Sequence, residues 1–336
     1  MRKIIDYHLL DGLAKAHYHL LNPRLKKSDK TGRIYYEYSI HHKLSEFAKI
    51  QNPIHAPFFS FLESKLEEIT ISPPIQLLDL HKSIQEEWLK VDSCLTNLKS
   101  IHEELLEKVF TYKGFRNGSK DSSRNIKWFE PLNLKACPYC NRNWISFVKD
   151  YKGNNNLLFD IDHYFPKHKY PWFALSFYNL IPSCTICNQR IKGGEDLYLD
   201  DHLHPYLDDF DEIVKFNVPT NTLDIFFDKN VKIELEILPR PPRTNSDIDF
   251  LRAVNFYQFF NLKNLYDTHL DYVRELLQKR IVYSQKYVDQ LKKDYEGLFQ
   301  SPDEIPRMLF GNYVLPEQIH ERPLAKLTKD LTEDLL

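Results

Sequence analysis

No uninterrupted apolar run of about 18 residues or more occurs in the 336-residue chain, so no membrane span is expected. The amino-terminal stretch offers no signal-peptide core either, because Asp6, His8, Asp11 and Lys15 interrupt its apolar residues. The expected location is the cytoplasm. An excess of charge is also lacking: 45 Lys and Arg against 47 Asp and Glu leave a net charge of −2. Bulk charge therefore does not point to a polyanion, and any basic surface must be local. Repeats and low-complexity segments are absent. Cysteine is scarce, and four of the five stand in two Cys-x-x-C pairs, Cys137/Cys140 and Cys184/Cys187. In a reducing compartment such pairs hold metal more often than disulfides. Cys94 lies alone in a helical pattern and is expected to be a small core residue. Apolar residues are plentiful: 42% hydrophobic and 14% aromatic content exclude disorder and suffice for a sizeable core.

Four segments follow from pattern. Residues 1–112 read as a helical amino-terminal region. Ile5, Leu9, Leu13, His17 and Leu20 recur at helical steps, Asn22-Pro23 ends that helix, and residues 23–32 read as a loop. Farther on, Ile84, Trp88, Val91, Leu95, Leu98, Ile101, Leu105 and Val109 draw one long apolar stripe. Nothing catalytic clusters there, so the region reads as a scaffold or partner-docking module. Residues 113–200 form a second unit. Its lead-in carries Lys113, Arg116, Lys120, Arg124, Lys127 and Lys135 against Asp121 and Glu130, loosened by Gly114 and Gly118. Tyr112, Phe115, Trp128 and Phe129 are interleaved. Such a loop can contact phosphates or serve as a solvated linker. Residues 201–240 are expected to be an acidic loop and small β hairpin region. From 195 to 214 eight acidic residues meet no Lys or Arg, which reads as a solvated loop turned away from a polyanion. Residues 213–218, 222–227 and 231–238 read as strands, with a turn at 228–230. Pro239–Arg243 reads as a stiff linker. Residues 241–336 read as a helical carboxy-terminal region, with one long helix over 262–298 closed by Gly297 and Pro302, then one or two short helices.

The chemistry concentrates between Cys137 and Lys192. Zinc takes tetrahedral sulfur ligands, and each Cys-x-x-C brings two thiolates to one ion from a tight turn. Two such pairs complete a four-sulfur site with no open coordination position, so this zinc would be structural. A thioredoxin-like redox role is the rival, but the second pair and the missing βαβ context argue against it. Between the pairs, residues 143–149 and 157–163 read as strands around a turn at 150–156. Alternation puts Asp160 and Asp162 on one strand face and His163 on the other. The second pair can open a helix, with Asn188 one residue past the last sulfur.

These residues resemble the HNH, or ββα-metal, endonucleases. The zinc-containing members carry C-x-x-C, D-H, Asn and C-x-x-C-N in that order. Here the order is Cys137-Pro-Tyr-Cys140, Asp162-His163, Asn179 and Cys184-Thr-Ile-Cys187-Asn188, with Pro166 and Lys192 also typical. The resemblance covers about residues 135–195. It implies an α+β fold class: a zinc-clamped ββα nuclease domain embedded in a predominantly helical protein. It further implies a DNA endonuclease, with RNA as the other candidate substrate. His163 would be the general base. Asp162 and Asn188 would hold one divalent cation, Mg²⁺ or Mn²⁺, with Asp160 as a further ligand or a support. Asn179 would orient the loop carrying His163. Lys167, Arg190 and Lys192 are candidate phosphate contacts, and His168 a weaker one. The family often has His at the last position, so Asn188 leaves the metal preference open. The flanks look similar to bacterial HNH proteins, some of which belong to phage-defence systems. A helical scaffold docked on an ATPase partner, with the nuclease as its effector, is compatible with this. The alternative is a non-catalytic zinc module that binds nucleic acid or docks a partner. It would require a broken Asp162/His163/Asn188 cluster, and all three residues are present.

Overall fold

A computed structural model of the chain describes residues 7–25, 34–117, 123–149, 151, 153, 155–295, 297–299, 301 and 304–333. Most of the expected 23–32 loop, Gly118, Lys120, Asp121, Asp150, Pro302 and the side chain of Arg124 lie outside them. Mixed helix and small-sheet structure results. One buried apolar cluster runs from Leu10 to Leu331 and draws on all four segments. No helix among the described residues is long and apolar enough to cross a membrane.

The helix Tyr7–Leu21 buries Leu10, Ala14, His17, Tyr18 and Leu21, while Leu9 is exposed. The expected stripe is thus rotated. The reason is that His17 and Tyr18 find polar partners inside: His17 Nε2 lies 2.9 Å from the Leu175 carbonyl, and the Tyr18 hydroxyl 2.9 Å from His41 Nε2. The long stripe after Ile84 is also divided. The helix Pro74–Val91 ends where Asp92 turns extended and accepts from the Cys94 N–H at 2.9 Å and from Asn97, heading the next helix, Leu95–Ser100. This local capping competes with helix continuation, and it leaves Cys94 exposed rather than in the core. Beyond it, Leu105–Val109 is a π-helical turn whose last bond runs from the Phe110 N–H to the Leu105 carbonyl at 2.8 Å.

Among its described residues the basic lead-in, expected as a loop, carries the helices Tyr112–Asn117 and Ser123–Phe129. Phe115, Trp128 and Phe129 are buried, so three of the four interleaved aromatics serve the core rather than nucleobases.

Three two-stranded antiparallel sheets follow among the described residues. In the first, β1 (Phe147–Lys149) pairs with β2 (Asn155–Leu157). The sequence expectation joined residues 143–149 directly to 157–163, and this is corrected. The chain leaves the hairpin at Leu158, buries Phe159 against Phe129 at 4.2 Å between ring centres, and starts a separate strand. That strand, β3 (Asp160–His163), pairs with β4 (Leu180–Ser183), with His163 opposite Leu180 and Asp160 opposite Ser183. The π-helix Ile186–Lys192 follows β4 and ends at Gly193, whose N–H reaches the Asn188 carbonyl at 2.7 Å and whose φ is 55°.

The third sheet pairs β5 (Val214–Asn217) with β6 (Glu236–Pro239). The expected strand between them, 222–227, is the helix Thr222–Phe227, capped by Asn221 through the Leu223 N–H at 3.0 Å. Nor is 262–298 one helix. It divides into Leu262–Asp267, Leu270–Val282 and Gln285–Asp294, the last capped by Ser284. Two charged expectations also change. Asp211, expected in a solvated loop, is 4% exposed and lies 2.8 Å from both Lys326 and Lys329. Arg240, expected in a linker, binds Asp330 at 2.5 Å and Glu333 at 3.0 Å. The segment is therefore a fastening for the buried final helix, Ala325–Thr332.

Candidate functional site

The two Cys-x-x-C turns meet. All four sulfurs lie within 4.8 Å of one another, with Cys140 and Cys184 Sγ 3.9 Å apart. A tetrahedron with zinc–sulfur bonds of about 2.3 Å has sulfurs about 3.8 Å apart, so the cluster can hold one zinc ion. Backbone and amide donors already point at it. The Cys184 N–H reaches Cys137 Sγ at 3.3 Å, the Arg142 N–H reaches Cys140 Sγ at 3.4 Å, and Asn143 Nδ2 reaches Cys184 Sγ at 3.2 Å. Burial pushes the Cys137 thiol up, while hydrogen bonds within the cluster pull Cys140 and Cys184 down. A dication is the charge that lets all four ionise together. The first turn is braced by the carboxy-terminal region: Tyr266 donates to the Cys140 carbonyl at 2.7 Å, and the Leu324 and Lys326 N–H groups bind Asn141.

From this clamp, β3, β4 and the π-helix run as strand, strand and helix. Asp160 and Asp162 face differently equipped surroundings. Asp162 is buried; Tyr139, from within the first Cys-x-x-C turn, donates to it at 2.6 Å, and Lys192 from the π-helix approaches at 3.2 Å. Burial raises its carboxyl above the ordinary range despite Lys192. Asp160 is held by Arg116, half-exposed, at 3.0 Å and by Gln189 at 2.8 Å. Lys192 is 1% exposed and also donates to the His163 carbonyl at 2.7 Å. Its expected phosphate contact is corrected: the ammonium is taken inward by Asp162. Arg190 and His168 are exposed, Lys167 and Asn188 half-buried.

His163 sits at the end of β3, with Nε2 3.0 Å from the Ala174 carbonyl. That contact makes Nε2 the protonated nitrogen and Nδ1 the basic one. Tyr112 packs edge-on against the imidazole at 4.5 Å, and Lys167 Nζ lies 4.5 Å from the other ring's centre. Burial, then Lys167, pull His163 down to about 3. The long loop between β3 and β4 is knotted on Asn179. Its Oδ1 accepts from the Phe165 N–H at 2.7 Å, and its Nδ2 donates to the Phe165 and Phe173 carbonyls at 3.1 and 2.9 Å. Ala174, which holds His163, directly follows Phe173. Burial, then the nearby Arg116 and Lys113, lower Lys167.

The chain shares sequence with a phage protein. Over 109 residues it is 28% identical to protein ea31 of Escherichia phage lambda, a stretch covering 31% of this chain and 33% of the phage protein. The match therefore spans about a third of that protein's length. No family model matches the chain, and no solved structure matches it.

Tyr139, Asn143, Arg116 and Gln189 were not singled out by sequence as site residues. Tyr139 and Asn143 had a signal, since they lie inside and just after the first Cys-x-x-C turn. Gln189 neighbours Asn188. Arg116 had only its charge, because its contact with Asp160 depends on a helix laid over β3.

Proposed function

We propose that this chain is a metal-dependent endonuclease of the HNH type, hydrolysing phosphodiester bonds in DNA, with zinc as a structural clamp. The observation that carries the reading is His163 at the end of β3, oriented through Nε2 by Ala174 and close to Lys167. An imidazole held neutral, with one nitrogen fixed and a lysine beside it, suits proton abstraction next to a phosphate. The resemblance of the Cys137–Lys192 stretch and the strand–strand–helix run of β3, β4 and the π-helix support the same reading.

In this mechanism His163 Nδ1 takes a proton from a water whose oxygen attacks phosphorus. The bond from phosphorus to the 3′ oxygen breaks, and that oxygen takes a proton from solvent, leaving a 5′-phosphate and a 3′-hydroxyl. A phosphodiester next to Lys167 offsets that lysine's share of the lowering of His163, which is smaller than the share from burial. Asn179 keeps the Phe165–Ala174 loop in place, which keeps the imidazole aimed. Asp160, Asp162 and Asn188 carry oxygen donors of the kind a hard divalent cation takes. Asp160 or Asp162 would hold it in exchange for Arg116, Gln189 or Lys192, and it would supply neutralisation of charge on the scissile phosphate and leaving oxygen.

The test compares the wild type with His163→Ala on supercoiled DNA, single-stranded DNA and RNA, with Mg²⁺, Mn²⁺ or chelator. Cleavage should fall about 10²–10⁴-fold in the variant, with zinc content and melting temperature kept. Full activity in His163→Ala, or binding without any cleavage in the wild type, ends this reading.

A further inference from the structure

Two hollows open beside the candidate catalytic strand, and Glu103 and Leu106 line both, so they adjoin as a pair. Its near end is lined by Glu107, Thr111, Tyr112, Lys113 and Lys167. Tyr112 and Lys167 are the groups packed around His163. Its far end is a cavity of about 490 Å³ with a different chemistry. There the walls are rings and aliphatic groups: His81, His102, Tyr170 and Leu98. His81 packs edge-on against Tyr170 at 4.7 Å and tilts over Trp172 at 5.4 Å, and His102 meets Trp172 edge-on at 5.4 Å.

The two ends call for different occupants. Lys113 and Lys167 suit a phosphate. At the far end, burial pulls His81 down to about 4 and His102 down as well, so both imidazoles are neutral at pH 7. Lys169 is paired with Asp196 at 3.3 Å, and Glu103 at the junction disfavours a second phosphate. Lys99, exposed at the rim, is the remaining cation on the wall. Neutral rings and aliphatic walls suit a flat, uncharged group.

We propose that this cavity takes one nucleobase swung out of the strand whose phosphate lies at His163, making nucleic acid with an unpaired nucleotide beside the cut the favoured substrate. This rests on the nuclease reading. The volume falls within the range of small-ligand pockets, and a ring-walled pocket beside lysines that can reach the backbone is how unpaired strands are held.

The test uses His163→Ala protein, so that binding is read without cleavage. Three labelled duplexes are compared: perfect, with a one-nucleotide bulge, and with the same bulge lacking its base. The bulged duplex should bind about tenfold tighter or more than the perfect one, and removing the base should abolish that advantage. A plug, Gln85→Trp, placed on the half-buried wall residue of the helix Pro74–Val91, should bring the ratio of the two affinities near one. Equal affinity for bulged and perfect duplex overturns the proposal, as does an advantage that survives loss of the base or the plug. An excess of free nucleoside monophosphates forms a further arm. Tight mononucleotide binding without a bulge advantage makes the cavity a small-ligand site and also overturns it. Binding without base preference defeats this proposal alone, whereas no nucleic-acid binding at all defeats the nuclease reading with it.

Discussion

Two buried carboxylates, Asp211 and Asp162, are each paired with lysine, yet their surroundings differ in kind. Burial alone would raise Asp211, but Lys326 and Lys329 together hold it below the ordinary carboxylate range. Asp330 closes the same group, receiving Lys326 and Arg240 at 2.5 Å each and the Phe216 N–H at 2.8 Å. Every charge in that cluster has a charged partner, and the cluster fastens the last helix to β5. Asp162 has one lysine and one tyrosyl hydroxyl, and its carboxyl stays raised. Its neighbour Asp160 leans on an arginine that is half in solvent. The first cluster is complete as it stands. In the second, each carboxylate has one cation and one neutral donor, next to a neutral histidine. Buried ion pairs thus close the carboxy-terminal region completely, whereas on β3 one of the two cations stays half in solvent.

The largest effect should come from the point where both regions are anchored. Asn141, directly after Cys140, binds the Leu324 and Lys326 N–H groups, and Tyr139 binds Asp162. Cys140→Ser is therefore expected to loosen the closed and the open cluster together, at a cost of several kcal/mol, since metal binding by such a site is folding free energy. Metal analysis and thermal melting check it. A zinc-free variant with a normal melting temperature would refute the structural role.

Next, the closed cluster can be broken alone. Asp330→Ala leaves Asp211 and Glu333 to serve Lys326, Lys329 and Arg240 and should cost about 3–5 kcal/mol, the usual penalty for removing one partner from a buried charge group. That is a large share of the roughly 5–15 kcal/mol by which a domain is stable. Cleavage per folded molecule should not change. Denaturant titration beside an activity assay separates the two, and a selective loss of cleavage would end the division drawn here.

The open side predicts the reverse. Asp160→Asn keeps the shape, and because Arg116 is half-exposed the lost pair should cost less than about 1 kcal/mol. Cleavage should nevertheless fall about a hundredfold if the carboxylate helps hold the divalent cation. A stable Asp160→Asn with wild-type cleavage would reduce Asp160 to a surface pairing.

The two sites were unequally legible in sequence. The sulfur cluster was fully readable, because Cys-x-x-C spacing is a local constraint and only the distance between pairs needed folding. The wide helix after Cys187 and the hairpin turn were readable for the same reason. The partner of β3 was not. Residues 157–163 follow the hairpin so closely that periodicity joined them to it, whereas their ladder is made with 180–183 across a loop tied by Asn179. Capping was missed in the same way: Asp92, Asn221 and Ser284 each end or begin a helix through a side chain, which an apolar stripe does not register. The closed cluster was invisible, since acidic residues 208–212 and lysines near 329 look solvated until tertiary packing pairs them.

The smallest effect distinguishes the clusters by pH. His17 and His204 are buried, and burial lowers them to about 4 and about 3. His204 is committed to the neutral form, because its Nδ1 accepts the Tyr206 N–H at 3.2 Å. Free histidine titrates near 6.5, so between that pH and about 4 the unfolded chain takes up protons that the native chain refuses. Stability must then fall on acidification, by about 1.4 kcal/mol per pH unit for each histidine. The closed cluster has the opposite assignment of ranges. Asp211 is depressed, so its contribution is intact above the ordinary carboxylate value and is lost only as pH falls below it through the native value. Acid destabilisation from pH 6.5 to 4.5 should therefore come from the histidines and not from the lock. His204→Asn retains an acceptor for Tyr206 and should flatten the pH dependence by about 1.4 kcal/mol per unit in that window. Equilibrium unfolding at a series of pH values measures the slope, and an unchanged slope in the variant would assign the acid sensitivity to another group.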